Sequence, residues 1–256
     1  MPSTPLKNAM TPGARLPGIW LSLCSPTVTE IAAGSGADWL LVDMEHAPAD
    51  LSQIADHLRA ARGASGDSGA EVIVRPPSSD QVMTKRLLDI GVRNLMFPMI
   101  QDAEAARQAV SWTRYAPEGV RGISATIRAN DYARQGDYLS RYAEELCLIL
   151  QVETPEALAN IAEIAAVPGV DAIFVGPGDL AAAMGYPGQT MAEPVQQAIA
   201  EALAAIHAGG KAAGILGYGE AAARRYFEMG FDFTAIAGDA WMLARELDGL
   251  VARLAR

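Results

Sequence analysis

The chain alternates short, almost uninterrupted apolar runs with longer segments of helical periodicity. The apolar runs are GIWLSL (18–23), WLLVDM (39–44), EVIVRP (71–76), NLMFPM (94–99), CLILQVE (147–153), DAIFVG (171–176), KAAGIL (211–216) and FTAIAG (233–238). Their hydrophobicity is continuous rather than alternating, as expected of parallel strands covered by helices. Between them lie DLSQIADHLRAARG, SDQVMTKRLLDIG, DAEAARQAVSWT, TPEALANIAEIAAV and GEAAARRYFEMG, with apolar residues at helical spacing. Thr154 followed by Pro155 has the form of a helix start, and Gly91 and Gly230 that of helix stops.

Eight strand–helix units in 256 residues predict one α/β domain spanning 1–256, a (β/α)8 or TIM barrel. A doubly wound open sheet is the alternative, but its GxGxxG signature after the first strand is missing. The rhythm breaks at residues 114–146, which are too long for an ordinary connection and helical in pattern only near their end. Residues 1–17, with four prolines, predict an irregular arm over the surface. Residues 240–256 predict an additional amphipathic helix, with Leu243, Leu247, Leu250 and Leu254 on one face. That face either covers the barrel wall or packs against, or is exchanged with, a neighbouring subunit. Its polar side carries both signs of charge, which disfavours a membrane surface.

Composition narrows the classes of partner. Twenty basic against thirty acidic residues give a net charge of -10, with no long Lys/Arg block, so nucleic-acid binding is disfavoured. Cys24 and Cys147 form no CxxC pair and read as buried free thiols. The N-terminus lacks the apolar core of a secretory signal, and no charge-free apolar stretch approaches the roughly 20 residues of a membrane span. A soluble, cytoplasmic protein without membrane partners is expected.

In a barrel the chemistry belongs at the C-terminal ends of the strands. Those positions hold Asp43, Glu45 and His46 after the second strand, Arg75 after the third, Gln151 and Glu153 at the fifth, and Asp179 in GPGDL after the sixth. An acidic rim with one Arg and one His suits a metal enzyme acting on an anion. Glu153 and Asp179 are candidate ligands for a hard cation such as Mg²⁺ or Mn²⁺, unless each only caps a helix. HExxH is absent and there are only three histidines, which argues against a His-rich zinc centre.

Arg75, held extended by Pro76, presents either a fork for a carboxylate or enolate or a salt-bridged rim residue. His46 is a candidate proton carrier, with Asp89 as a candidate orienter of its ring. His57 reads as a surface or packing residue, and His207 as helix surface. The GPGDL turn offers N–H groups to an anion, or is only a tight connection. Trp20, Phe174 and Leu216 fall at strand ends and would form an apolar wall.

Taken together, GADWLLVDMEHAP, VIVRPP, LLDIGVRNLMFPMI, RYAPEGVRG, LQVETPEAL and VDAIFVGPGDLAAAMG resemble the HpcH/HpaI aldolase family over residues 18–239. These are metal-dependent class II pyruvate aldolases that cleave 4-hydroxy-2-oxo acids, as in aromatic or sugar-acid catabolism. The resemblance implies a divalent metal, Mg²⁺ or Mn²⁺ with Co²⁺ also accommodated, on Glu153 and Asp179. It implies Arg75 as enolate stabiliser, His46 and Asp89 as a proton-handling pair, and Gln151 near the metal and substrate. Asp43 would be a supporting acid, and the backbone at Gly178 and Asp179 would hold the pyruvate carboxylate. It further implies a homo-oligomer, a hexamer favoured, with no nucleotide and no Schiff-base lysine. Lys85 and Lys211 accordingly lie in a helix pattern and at a strand start. A malyl- or citramalyl-type CoA-ester lyase, an oxaloacetate decarboxylase, and a binding barrel without chemistry are the competing readings.

Overall fold

The computed structural model describes residues 6–65 and 70–255. Eight parallel strands close a barrel in chain order: β1 (Leu16–Leu21), β2 (Trp39–Asp43), β3 (Glu71–Arg75), β4 (Asn94–Phe97), β5 (Cys147–Val152), β6 (Ala172–Val175), β7 (Ala212–Leu216) and β8 (Phe233–Gly238). Each apolar run is one of these strands. β1 begins two residues before its expected start because Leu16 and Pro17 already pair with Phe233 and Thr234 of β8, closing the cylinder.

Both faces of every strand are covered, which is why the runs read as continuously apolar. Trp39 and Leu41 of β2, Ile73 of β3, Ile149 of β5, Phe174 of β6 and Phe233 of β8 fill the interior. The residues between them, such as Leu40, Val42, Val72, Val74, Leu148 and Leu150, pack beneath the helices. Side chains alternate with period two along a strand. One further step of the inward set therefore delivers Asp43, Arg75 and Gln151 to the interior at the C-terminal mouth.

The opposite mouth is plugged by the N-terminal arm. Leu6 and Met10 are buried among the interior side chains, with the Cys147 Sγ 3.8 Å from the Met10 Sδ. The expected irregular arm thus contains a helical turn, Leu6–Ala9, and its apolar residues seal the barrel floor; residues 1–5 lie outside the described residues. The fully buried Asp232 ties the arm down by accepting from the Gly13 and Ala213 N–H groups at 2.6 and 2.7 Å. His207 also reaches Asp232, at 2.8 Å, so this histidine is part of the floor rather than free helix surface.

Residues 114–146 are folded against the wall. Tyr115 and Arg121 bridge, a 3-10 turn covers Arg128–Asn130, and a helix runs over Tyr138–Glu145. The final helix, Asp239–Leu254, does not cover the barrel wall: Leu243, Leu247, Leu250 and Leu254 are all exposed. Among the described residues no helix is long and apolar enough to cross a membrane.

Cys147 is buried, whereas Cys24 is only half-buried. Burial, then the charges of Asp239 and Asp43, push the Cys24 thiol up, away from thiolate chemistry. His57 is a packing residue, 1% exposed, with Nδ1 2.5 Å from the Thr29 hydroxyl; its Nε2 has no partner among the described residues. Burial lowers its pKa below 6.5, against the opposing charges of Asp239 and Asp56. The unfolded chain therefore takes up this proton first, and His57 removes stability as pH falls below about 6.5. Thermal melts from pH 7.5 to 5.5 should show a shallower loss in His57→Leu than in the wild type. Parallel pH profiles would refute this linkage.

Candidate active site

Four strand ends converge on Arg75. Its Nε and Nη2 donate to the two Asp43 carboxylate oxygens at 2.9 and 2.7 Å, and Nη1 lies 2.8 Å from the Glu45 carboxylate. The guanidinium also stacks 4.7 Å above the Trp20 ring, whose indole N–H donates to Asp43 at 3.2 Å. Nε, Nη1 and Nη2 each hold a carboxylate partner, which leaves one Nη2 N–H to a substrate, so Arg75 is a preorganised positive charge rather than a mobile rim residue. Burial would raise the Asp43 carboxyl. The Arg75 bonds and charge, with the Glu45 N–H and the Trp20 indole, outweigh burial and hold it below its ordinary value. Glu45 is pushed up instead by burial, against the charges of Arg75 and His46 and with smaller help from Asp43 and Asp179.

Gln151 connects this cation to the next acid. Its Nε2 donates to Glu153 at 2.6 Å, while its Oε1 faces Arg75 at 3.5 Å. The Met99 N–H donates to the other Glu153 oxygen at 2.9 Å, from a left-handed backbone with φ 54. Burial raises the Glu153 carboxyl to about 7, against the Met99 N–H, and the charges of Asp179 and Glu45 add to it. Gly176 must lack a side chain here, because a Cβ would collide with the Glu153 carboxylate and the Gln151 amide. The backbone then enters the helix Pro177–Ala183, whose Gly178 and Asp179 N–H groups lie in the first turn, without intrahelical acceptors.

These groups line one cavity of about 340 Å³, bounded by Trp20, Asp43, His46, Arg75, Gln151, Phe174, Gly178, Asp179 and Leu216. Glu153 lies directly behind Gln151 and Gly176. The expected pairing of His46 with Asp89 is not formed within the chain. His46 is two-thirds exposed at the mouth, and its ring faces Glu45 at 3.8 Å. Asp89 ends the helix Gln81–Asp89, which runs back from the mouth toward the barrel floor. There it accepts from the buried Arg121 at 2.9 Å. The helix direction of a βα unit carries Asp89 away from the strand ends.

Three contributors have no role in the sequence reading. Glu45, visible at a strand end, completes the Arg75 cage. Asp239, the first residue after β8, accepts from the Ser22 N–H, the Ser22 hydroxyl and the Leu23 N–H at 2.9, 3.1 and 3.0 Å, pinning the turn after β1. Tyr218 follows β7 and lines the cavity beside Ser22. The inward period of two reaches Ser22 from Trp20, and Tyr218 from Leu216.

Asp43, Glu45, Glu153 and Asp179 face a single cation, Arg75, and Glu153 is costly to ionise there. That surplus of carboxylate oxygen, buried at Asp43 and Glu153 and open to the cavity at Asp179, fits a hard divalent cation. Among the described residues no group of three or more His, Cys, Asp or Glu could hold a metal. A cation on Glu153 and Asp179 would therefore keep positions for substrate oxygens.

A (β/α)8 barrel whose mouth joins a caged arginine to neighbouring carboxylates defines a class of enzyme that stabilises enolates during carbon–carbon cleavage. The family model for HpcH/HpaI aldolase/citrate lyase matches residues 16–245, and the chain belongs to that family. The chain is 44% identical over 248 residues to a 4-hydroxy-2-oxo-heptane-1,7-dioate aldolase of Salmonella dublin, covering 96% of this chain and 93% of that protein. Among solved structures, an HpcH/HpaI aldolase/citrate lyase family protein from Burkholderia cenocepacia J2315 superposes with a TM-score of 0.94 at 38% identity, covering 98% of this chain and 99% of the other. An HpcH/HpaI aldolase from Desulfitobacterium hafniense DCB-2 gives 0.85 at 30% identity, with 94% and 93% covered. The protein is a carbon–carbon lyase of the aldolase type acting on small molecules, in a family dependent on divalent metal.

Proposed function

We propose that the chain cleaves 4-hydroxy-2-oxo acids reversibly to pyruvate and an aldehyde, through a pyruvate enolate. The observation that carries this reading is the Arg75 fork, locked by Asp43, Glu45 and Trp20 and joined through Gln151 to Glu153. Glu153 and Asp179 would hold Mg²⁺ or Mn²⁺, which supplies Lewis-acid charge to a bound 2-oxo acid.

The Gly178 and Asp179 N–H groups hold the substrate carboxylate at the helix start. Arg75 faces the C2 oxygen and stabilises the negative charge that grows there. His46, at the mouth beside Glu45, takes the proton of the C4 hydroxyl. The C3–C4 bond then breaks, its electron pair passing into the C2–C3 enolate as the C4 oxygen becomes the aldehyde carbonyl. Protonation at C3 releases pyruvate. Trp20, Phe174 and Leu216 keep the reacting carbons in apolar surroundings. Neither Lys85 nor Lys211 is placed for a Schiff base, and the Lys211 ammonium is occupied at the Val170 carbonyl, 2.8 Å away.

We further propose a cytoplasmic homo-oligomer, a hexamer favoured, in which the uncovered face of Asp239–Leu254 is buried between subunits. The function is tested by pyruvate–aldehyde condensation before and after chelation. Activity should vanish with EDTA and return with Mg²⁺ or Mn²⁺. Condensation that survives complete metal removal, or a borohydride-trapped lysine adduct, would defeat the reading.

A further inference from the structure

The polar side chains lining the cavity can be accounted for one by one. Asp43, Arg75 and Gln151 are committed to one another and to their cage. The Ser22 hydroxyl is held by Asp239. His46 and Asp179 are assigned above to the proton and the metal. One group is left over: the Tyr218 hydroxyl, which has no hydrogen bond among the described residues although its ring lines the cavity.

The position of Tyr218 is built rather than incidental. Its ring lies 5.7 Å from Trp241, the third residue of the final helix. Its other support is Gly238, the last residue of β8, where a Cβ would come within 2.8 Å of the phenol oxygen. A residue other than glycine at 238 would displace the ring. The phenol is thus set between the end of β8 and the final helix, on the same wall as Trp20, Ser22 and Leu216. Burial pushes its pKa up, and the charges of Asp43 and Asp239 add to this, so the group stays protonated and able to donate. Arg75 opposes these two charges but is already engaged by Asp43 and Glu45, so Tyr218 offers its wall a neutral donor suited to a neutral hydroxyl.

We propose that Tyr218 is a specificity-determining residue, its hydroxyl hydrogen-bonding a neutral hydroxyl on the aldehyde half of the substrate, so that the site selects short hydroxyaldehydes over alkyl aldehydes of equal size. The inference rests on the aldolase reading and assigns its open half, the aldehyde. The cavity of about 340 Å³, at the small end for ligand sites, holds pyruvate beside a short partner. A site built to satisfy a substrate hydroxyl discriminates against the isostere that lacks it, because the protein group is then left unpaired.

The test compares glycolaldehyde with propionaldehyde, in which a methyl replaces the hydroxyl, each condensed with pyruvate by the metal-loaded, full-length protein. In Tyr218→Phe the ratio of kcat/KM for glycolaldehyde over propionaldehyde should fall about tenfold relative to the wild type, as expected for one lost hydrogen bond. Intrinsic differences in aldehyde reactivity cancel in that comparison, and a melting curve verifies that the ring packing survives. An unchanged ratio, with both aldehydes still condensing, overturns the assignment of Tyr218 alone. Wild-type protein that condenses neither aldehyde and exchanges no methyl protons of pyruvate with D2O overturns the aldolase reading, and this inference with it.

Discussion

Glu153→Gln is expected to abolish divalent-metal binding and to lower turnover at least about a thousandfold, yet to raise the melting temperature of the metal-free protein at pH 8. The two effects have one cause. Burial, with the charges of Asp179 and Glu45, raises the Glu153 carboxyl from 4.5 to about 7. Between those values the folded chain binds the proton and the unfolded chain does not. Stability therefore falls as pH rises through that window and stays reduced above it, by on the order of 3 kcal/mol. Glutamine carries no charge and escapes the penalty while keeping an oxygen for the Met99 N–H. Its NH2 is accepted once the Gln151 amide turns its oxygen toward it, at the cost only of the long 3.5 Å contact to Arg75. With saturating Mg²⁺ the order inverts, because the metal stabilises only the chain that binds it. Calorimetric titration with Mg²⁺ or Mn²⁺ and melts at pH 5 and pH 8 check both halves. Undiminished metal affinity in the variant, or a lower melting temperature without metal, would show that Glu153 is only a buried structural acid.

Arg75→Ala should cost turnover about a hundred- to a thousandfold, with a smaller effect on KM, since the lost interaction belongs to the charge that appears as the enolate forms. It should also destabilise the fold by about 3 to 5 kcal/mol, because Asp43, and in part Glu45, would be left as buried charges without their cation. Arg75→Lys separates the two effects. Lysine restores the positive charge but cannot engage both Asp43 oxygens and Glu45 in one plane, nor stack as a flat group on Trp20. Its stability should lie nearer the wild type, while its turnover stays well below. A near-normal rate in Arg75→Ala would reduce the residue to a structural salt bridge at the rim.

Much of this architecture is legible along the chain because a buried parallel strand and its covering helix each have a local signature. WLLVD at β2 and CLILQV at β5 are apolar throughout, since one face fills the barrel and the other meets helices. The first polar inward residue after such a run marks the mouth, which is how Asp43, Arg75 and Gln151 come into view. Less is legible where position depends on packing between distant segments. The arm looks irregular because its prolines dominate the local pattern, yet Leu6 and Met10 find the open floor of the barrel. His57 carries ordinary helix periodicity, and only the approach of Thr29 makes it a buried, hydrogen-bonded ring.

The sequence by itself determined the strand–helix repeat, the acidic rim and the single arginine among its acids, because each follows from periodicity within a few residues. Tertiary structure alone decided which of those groups meet. It placed Asp89 with Arg121 at the far end of a returning helix rather than beside His46. It enclosed Arg75 on three sides, gave Asp239 the turn after β1, and seated Tyr218 against Gly238 and Trp241 at the cavity wall. Such contacts join residues as far as 217 positions apart, and they are set by barrel closure and by helix direction, neither of which leaves a local trace in the order of amino acids.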